Sequence, residues 1–244
     1  KDRYSKKRNK NSISKKRTQE CFTTKIDSMI SMIRLAITKG IRFDYLLVDS
    51  WFTCFELVQF IKTRKMDCHI LGMIKMGITK YSFNGNLLSA KQLVDNFKRK
   101  KQIKRSRKLG YRYIECVVDF QGIKVKLFFC KTSHKGKWHG LLTTNLDLNF
   151  EQAYKIYATR WSIEVFFKES KQYLGLGKCQ SQDFDAQIAS ITISMLQYNI
   201  LSVAKRFSDY ETMGELFRTA NAEIIELTIS ERIWRIIIEI IAQL

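Results

Sequence analysis

Two short, uninterrupted apolar runs, Tyr45-Leu-Leu-Val48 and His69-Ile-Leu-Gly-Met-Ile74, constrain the fold more than any other feature of the chain. A strand with one face in water alternates polar and apolar residues; a run with no polar alternate is buried on both faces, as strands of a parallel sheet are. Between the runs, Phe55, Leu57, Val58, Phe60 and Ile61 recur at helical spacing over residues 53–65, the pattern of a crossover helix. Strand, helix and strand predict a parallel pair at the core of an α/β sheet. The first strand ends in a carboxylate, Asp49, and side chains at the carboxyl end of such a strand face the crevice where α/β proteins do their chemistry. Upstream, Ile26, Met29, Ile30, Ile33, Leu35 and Ala36 predict a helix over 21–39 that Gly40 stops.

Beyond Lys75 the pattern becomes antiparallel. Asn84-Gly85, between residues 81 and 88, is a strong hairpin signal, and residues 89–97 fit one short helix. Ile114, Cys116, Val118 and Phe120 alternate with Glu115 and Asp119, Gln121-Gly122 makes a turn, and Ile123, Val125, Leu127 and Phe129 alternate with Lys124 and Lys126. Residues 139–144 read as a further strand. After Phe150 the pattern is helical over 150–174, 184–207, 211–226 and 229–243.

The net charge of +20 exceeds what solubility requires and calls for a polyanionic partner, nucleic acid first and an anionic membrane surface second. Eight Lys or Arg residues crowd the eleven positions from Lys98 to Lys108, either a solvated loop or a set of phosphate contacts. Residues 1–19 are strongly basic with almost no apolar residue, so they are expected to stay unfolded by themselves. Six cysteines scattered without a C-x-x-C pair indicate neither a zinc site nor a disulfide framework, and fit reduced thiols in a cytosolic protein. The uncharged stretch 186–204 carries Gln187, Gln197 and Asn199, which reads as a buried helix and not a membrane span.

On the helix expected over 150–174, Tyr157, Arg160, Glu164 and Lys171 lie at offsets that place them within roughly a 60° wedge, with Lys168 nearby. Ile156, Ile163, Phe166, Phe167 and Leu174 fall on the adjoining arc, the side to be buried. A carboxylate between two cations and a phenol suits phosphate chemistry. Asp49 and Glu164 would hold Mg²⁺ as hard oxygen ligands, Arg160 and Lys171 would grip phosphate, and Tyr157 would stack on a base or bond a phosphate oxygen. The plainer alternatives stand beside these: Arg160 with Glu164 is also a favourable surface ion pair, and an Asp after an apolar strand is often a turn former.

The phrase Tyr45-Leu-Leu-Val-Asp-Ser-Trp-Phe-Thr53, followed by Tyr157, Arg160, Glu164 and Lys171 in Y-(2)-R-(3)-E-(6)-K spacing, resembles the bacterial DDE transposases of the IS4 type, and the order of elements from about 20 to 210 is similar throughout. The resemblance implies an α/β fold with an RNase H-like core, incomplete at the N-terminus, a β-rich insertion subdomain and a helical C-terminal tail. It divides the chain into a flexible basic linker (1–19), the first part of the core (20–75), the insertion (76–148), the core completion with the Glu164 helix (149–208) and C-terminal helices (209–244). Asp49 becomes the second acid of the catalytic triad and Glu164 the third, both metal ligands, with Mg²⁺ or Mn²⁺ bound as two ions by the complete triad. Tyr157, Arg160 and Lys171 become contacts to the transposon end, with Lys168 a secondary one. The implied reaction is cleavage by water at terminal inverted repeats, commonly through a hairpin intermediate, then joining of the freed 3′-hydroxyl to target DNA. A homodimer on two ends, in the cytoplasm at the nucleoid and without membrane contact, completes the expectation.

None of Asp2, Asp27 or Asp44 stands where the first acid should, so the chain is expected to be a C-terminal portion with little strand transfer by itself. A DNA-binding remnant without catalysis and an RNase H-like nuclease are the competing readings. Trp138, near a hairpin tip in 135–139, either stacks on a flipped base or caps the hairpin core. Trp161, and Trp51 with Phe52, read as packing residues. His69 reads as a satisfied core histidine, and His134 and His139 as no metal ligands.

Overall fold

The computed structural model of the chain describes residues 7, 9–63, 68–133, 135–226 and, further on, 231, 233, 234, 237, 238 and 241. Asp2, the end of the helix expected over 53–65, His134 and most of the helix expected over 229–243 lie outside the described residues. The chain forms two compact units, Glu20–Trp161 and the pair of segments Lys1–Gln19 with Ser162–Leu244.

The first unit is a mixed α/β layer structure. The predicted β-α-β core is present: β1 (Tyr45–Val48), α3 (Phe55–Thr63) and β2 (His69–Ile74), with β1 and β2 parallel and Val48 opposite Gly72. Leu57, Val58, Phe60 and Ile61 of α3 are buried, as their spacing requires. Helix α2 (Lys25–Thr38) starts where the Thr24 side chain accepts the Asp27 N–H and stops at Gly40, whose φ of 77° only glycine adopts cheaply. Both predicted two-residue turns are made. Asn84-Gly85 joins β3 (Lys80–Phe83) to β4 (Asn86–Ser89), and Gln121-Gly122 joins β6 (Tyr111–Phe120) to β7 (Ile123–Lys131), with positive φ at all four turn residues. Between the hairpins, Ser89 caps α4 (Ala90–Arg99) in a capping box with Gln92.

All eight strands belong to one sheet, ordered β1-β2-β8-β7-β6-β3-β4, with β5 (Lys104–Ser106) on β6. β8 (His139–Thr143) pairs antiparallel with β2, Leu71 opposite Thr143. The antiparallel strands therefore continue the sheet of the parallel pair, with no break at residue 75. The sheet is buried on both faces at its centre. Ile114, Cys116, Val118, Phe120, Val125, Leu127 and Phe129 join the α3 and α4 side. Leu71, Phe128, Cys130 and Leu141 face α5 (Phe150–Ala158) through Phe150 and Ala153. Phe150 stacks on Tyr113 at 4.3 Å, and the Tyr111 and Tyr154 hydroxyls meet at 2.8 Å, which docks α5 on that face. β5 arises inside the run of eight cations read as either a solvated loop or a set of phosphate contacts: Lys104 bonds Glu115 across the pair at 2.7 Å.

The helix expected over 150–174 is broken. α5 ends at Ala158, residues Thr159–Trp161 make a 3₁₀ turn, and α6 (Ser162–Tyr173) begins the second unit. A 3₁₀ turn advances about 120° per residue against about 100° in an α-helix, so the single wedge of Tyr157, Arg160, Glu164 and Lys171 does not survive as a property of one helix.

The second unit holds α1 (Ile13–Glu20, whose last residue belongs to the first unit), α6, α7 (Phe184–Arg206) and α8 (Met213–Glu226). The basic segment is thus not featureless: the Ser12 hydroxyl accepts the Lys15 N–H and α1 follows, with no buried residue. Within the unit, the Ser194 hydroxyl donates to the Leu174 carbonyl at 2.8 Å, the Tyr198 hydroxyl donates to Glu169 at 3.1 Å, and Tyr198 meets Phe166 edge-on. The expected burial fails here. On α6 only Ser170 is buried while Ile163 and Phe167 are exposed, and on α7, read as a buried helix, only Ser194 is. Among the described residues no helix is long and apolar enough to cross a membrane, and no disulfide joins any of the six cysteines.

Candidate active site

Asp49 stands one residue past the end of β1, at the carboxyl end of the parallel pair. Its Oδ1 accepts the Trp51 N–H at 2.8 Å, and its carbonyl accepts the N–H of Phe52 and of Thr53 at 3.2 Å and the Thr53 hydroxyl at 3.0 Å. Asp49 is therefore a turn former, as the plainer reading had it, and the turn leaves Oδ2 without a hydrogen bond among the described residues. The turn folds tightly onto β2. A Cβ at Gly72 would collide with the Thr53 hydroxyl and lie 2.7 Å from Val48 Cγ2, so only glycine opposite Val48 permits this path from strand to helix.

The same turn aims Trp51 outward. Its side chain is 72% exposed, against the packing role expected of it, whereas Phe52 does pack on the core. Lys75, directly after β2, brings its Nζ to 4.3 Å from the Trp51 ring centroid. Asp49, Trp51, Phe52, Lys25 and Ile26 line a cavity of about 360 Å³. Lys75 and Lys25 were not singled out in the sequence. A signal existed for Lys75, which follows its apolar strand as Asp49 follows the parallel neighbour.

Tyr157 stands near the end of α5 and Arg160 in the 3₁₀ turn, and Tyr157 lines a second cavity with Met73, Tyr111, His139 and Tyr154. The Arg160 guanidinium lies 5.7 Å from the Tyr157 ring centroid. Burial pushes the Tyr157 phenol above its ordinary value; the Arg160 guanidinium and the Met73 backbone N–H beside it pull back, and the Asp49 carboxylate pushes it further up. Tyr157 thus stays protonated at neutral pH, next to an acid and a guanidinium. Asp49, Tyr157 and Arg160 all belong to the first unit, with Arg160 beside Tyr157.

Glu164, Lys168 and Lys171 all lie on α6 in the other unit, with Glu164 half-buried in the first turn and both lysines exposed. Successive offsets of four and three keep them on one face, and the first turn of a helix favours a carboxylate. Trp138 packs against the core below β8, with Lys131 and Lys98 at 5.1 and 6.0 Å from its ring. Trp161, expected to pack, is 64% exposed. His69 is satisfied as expected, Nδ1 lying 3.3 Å from the Thr144 hydroxyl.

Among the described residues no group of three or more His, Cys, Asp or Glu is placed to hold a metal ion. Asp49 offers the hard oxygen that a divalent cation prefers, but one carboxylate is not a complete donor set. The described residues therefore match such an ion in kind and not in number.

Residues 10–200 match the family model of the transposase DDE domain. Proteins of that family generally use divalent metal ions. No curated protein matches the chain. Among solved structures, the cryo-EM structure of a piggyBac transposase synaptic complex with hairpin DNA matches at 15% identity with a TM-score of 0.42, over 81% of this chain and 39% of that one. The chain thus spans about two-fifths of that protein's length.

Proposed function

We propose, from the premise that the chain belongs to the family of transposase DDE domains, that it supplies catalytic residues for cutting DNA at the ends of a mobile element and joining them to a target. The observation that supports the reading is the Asp49 carboxylate at the carboxyl end of the β1–β2 pair, with Arg160 5.7 Å from the Tyr157 ring in the same unit. The finer assignment is an IS4-type transposase with an RNase H-like core, in which Asp49 and Glu164 are two of three acids. Mg²⁺ or Mn²⁺ is the ion such oxygen donors take; since the described donors do not complete a site, no step is derived through it. Two acids where the triad needs three also predict weak strand transfer from these residues alone.

Each residue has a physical task in this reading. Arg160 offers a planar fork of donors to a phosphate, bidentate where Lys168 and Lys171 act as point charges. A protonated Tyr157 donates to a phosphate oxygen, where a phenolate would repel it. Asp49 Oδ2 is the acceptor left facing the reacting phosphate once Oδ1 is committed to the turn. Trp138 remains a proposed base contact. The partners are the terminal inverted repeats and target DNA, engaged by a homodimer in the cytoplasm.

The test is cleavage of a labelled duplex carrying the element's ends by the whole gene product. Asp49→Ala and Glu164→Ala are each expected to lower the rate by roughly 10³-fold or more while DNA binding persists. Unchanged cleavage would remove the residue concerned from the catalytic set. Arg160→Ala and Lys171→Ala are expected to weaken end binding and flatten its salt dependence by about one phosphate contact each. A nuclease without end specificity would cut unrelated duplexes equally well.

A further inference from the structure

An indole beside a carboxylate is an expensive thing to leave in water, and Trp51 is 72% exposed although the turn that carries it is held by four hydrogen bonds to Asp49. The exposure is therefore built in by a fixed backbone and not by a loose one. Lys75 stands over the ring at 4.3 Å. The cavity beside it, about 360 Å³, falls within the roughly 300–1,000 Å³ common for small-molecule sites. Its lining joins a π-face (Trp51), an apolar floor (Phe52, Ile26), a cation (Lys25) and the Asp49 carboxylate.

We propose that Trp51 and this cavity form a nucleobase subsite, in which one unpaired base stacks on the indole while Lys25 and Lys75 meet its flanking phosphates. An aromatic ring next to ammonium groups is the combination that holds single-stranded nucleic acid, because every base has a π-face and every linkage a charge. A purely apolar ligand would leave two lysines idle, and a simple anion would leave the indole idle. The stacked base fixes the strand one or two nucleotides from Asp49, so the site positions the backbone that the carboxylate addresses. This inference rests on the DNA-cutting reading above and adds an unpaired base to it.

The experiment compares binding of the full chain to a single-stranded dodecanucleotide and to an abasic oligomer of the same length. The protein binds the intact strand more tightly. Trp51→Leu lowers that affinity by about 5- to 150-fold and leaves the abasic affinity unchanged, and Trp51→Tyr retains most of the preference. Equal losses on both oligomers would show that Trp51 only shapes the turn, and no loss on either would show that no base stacks there; each result overturns the proposal. A Trp51→Tyr protein with unchanged melting temperature and no base preference would overturn it too. Cleavage surviving Asp49→Ala defeats the catalytic reading separately and does not alter these binding outcomes.

Discussion

The two units respond differently to the same hydrophobic patterning. In Glu20–Trp161 most apolar residues of the strands and of α3 are buried on the two faces of the sheet, down to Phe128 and Leu127 at zero exposure, although Leu35 of α2 is 58% exposed. In the other unit the helices form close to where their periodicity puts them, yet Met213 and Leu216 are the only buried apolar side chains among its described residues. A strand completes its backbone hydrogen bonds only with neighbours, so its existence already implies a partner and a covered face. A helix satisfies its own backbone. Its formation is therefore legible from sequence even where its apolar stripe meets nothing, and Ile193, Leu196, Ile200 and Val203 along α7 are such a stripe.

The largest expected effect contrasts the two acids proposed as catalytic, Asp49 and Glu164, one in each unit. Asp49→Ala and Glu164→Ala should each abolish cleavage by the whole gene product, with unfolding midpoints near that of the parent protein. If only Asp49→Ala does so, the chemistry belongs to the sheet unit and the Y-R-E-K spacing is only a helix surface.

Next comes stability. Phe128→Ala removes a fully buried ring between the sheet and Phe150 and should lose about 3–5 kcal/mol. Ile200→Ala and Leu196→Ala should lose no more than about 0.5 kcal/mol, the range of exposed substitutions. Denaturant titration of the three variants checks this. Comparable losses would mean that the α7 stripe is covered in solution and would erase the contrast between the units.

How much was legible follows from the same physics. The β-α-β core, both tight turns and the stop at Gly40 were readable because each rests on local chemistry: buried apolar runs and left-handed turn residues. The 3₁₀ turn at Thr159–Trp161 was not, because no Pro or Gly marks it and Tyr157, Arg160 and Glu164 fit an unbroken helix equally well. β5 was masked by its own composition: Lys104 and Arg105 read as loop, and only pairing with Tyr113 and Arg112 makes them a strand. At the site, Asp49 was readable from its strand end, but the exposure of Trp51 was not. It depends on Gly72 letting the turn close against β2, a contact between residues distant in sequence.

That contact gives a mid-sized prediction. Gly72→Ala places a methyl against Thr53 and Val48, both fixed by strand or turn bonding, and should destabilise the protein by about 1–3 kcal/mol. Because the strain falls on the Asp49 turn, cleavage should drop further than the loss of folded protein explains, which a rate measured per folded molecule will show. A purely global effect, with normal activity per folded molecule, would separate the turn from the chemistry.

The smallest effect tests whether burial in the sheet unit reaches the first residue of β2. Burial holds the His69 imidazole below its ordinary value of 6.5, with the nearby Lys62 charge acting in the same direction and Thr144 and Asp147 opposing both. A folded-state value below the unfolded one means that the unfolded chain takes up the proton first. His69 therefore contributes stability that is fully present above about pH 6.5 and is lost as the pH falls toward the folded value. The group is substantially exposed, so water and salt screen much of this and the slope should be shallow. Unfolding free energies from pH 7.5 down to 5, compared between the parent protein and His69→Gln, isolate it, since the glutamine keeps a partner for the Thr144 hydroxyl and cannot titrate. The parent should lose stability faster than the variant below pH 6.5. Parallel curves would mean that the start of β2 is as wet as the helical unit, and that the buried character of the sheet stops short of His69.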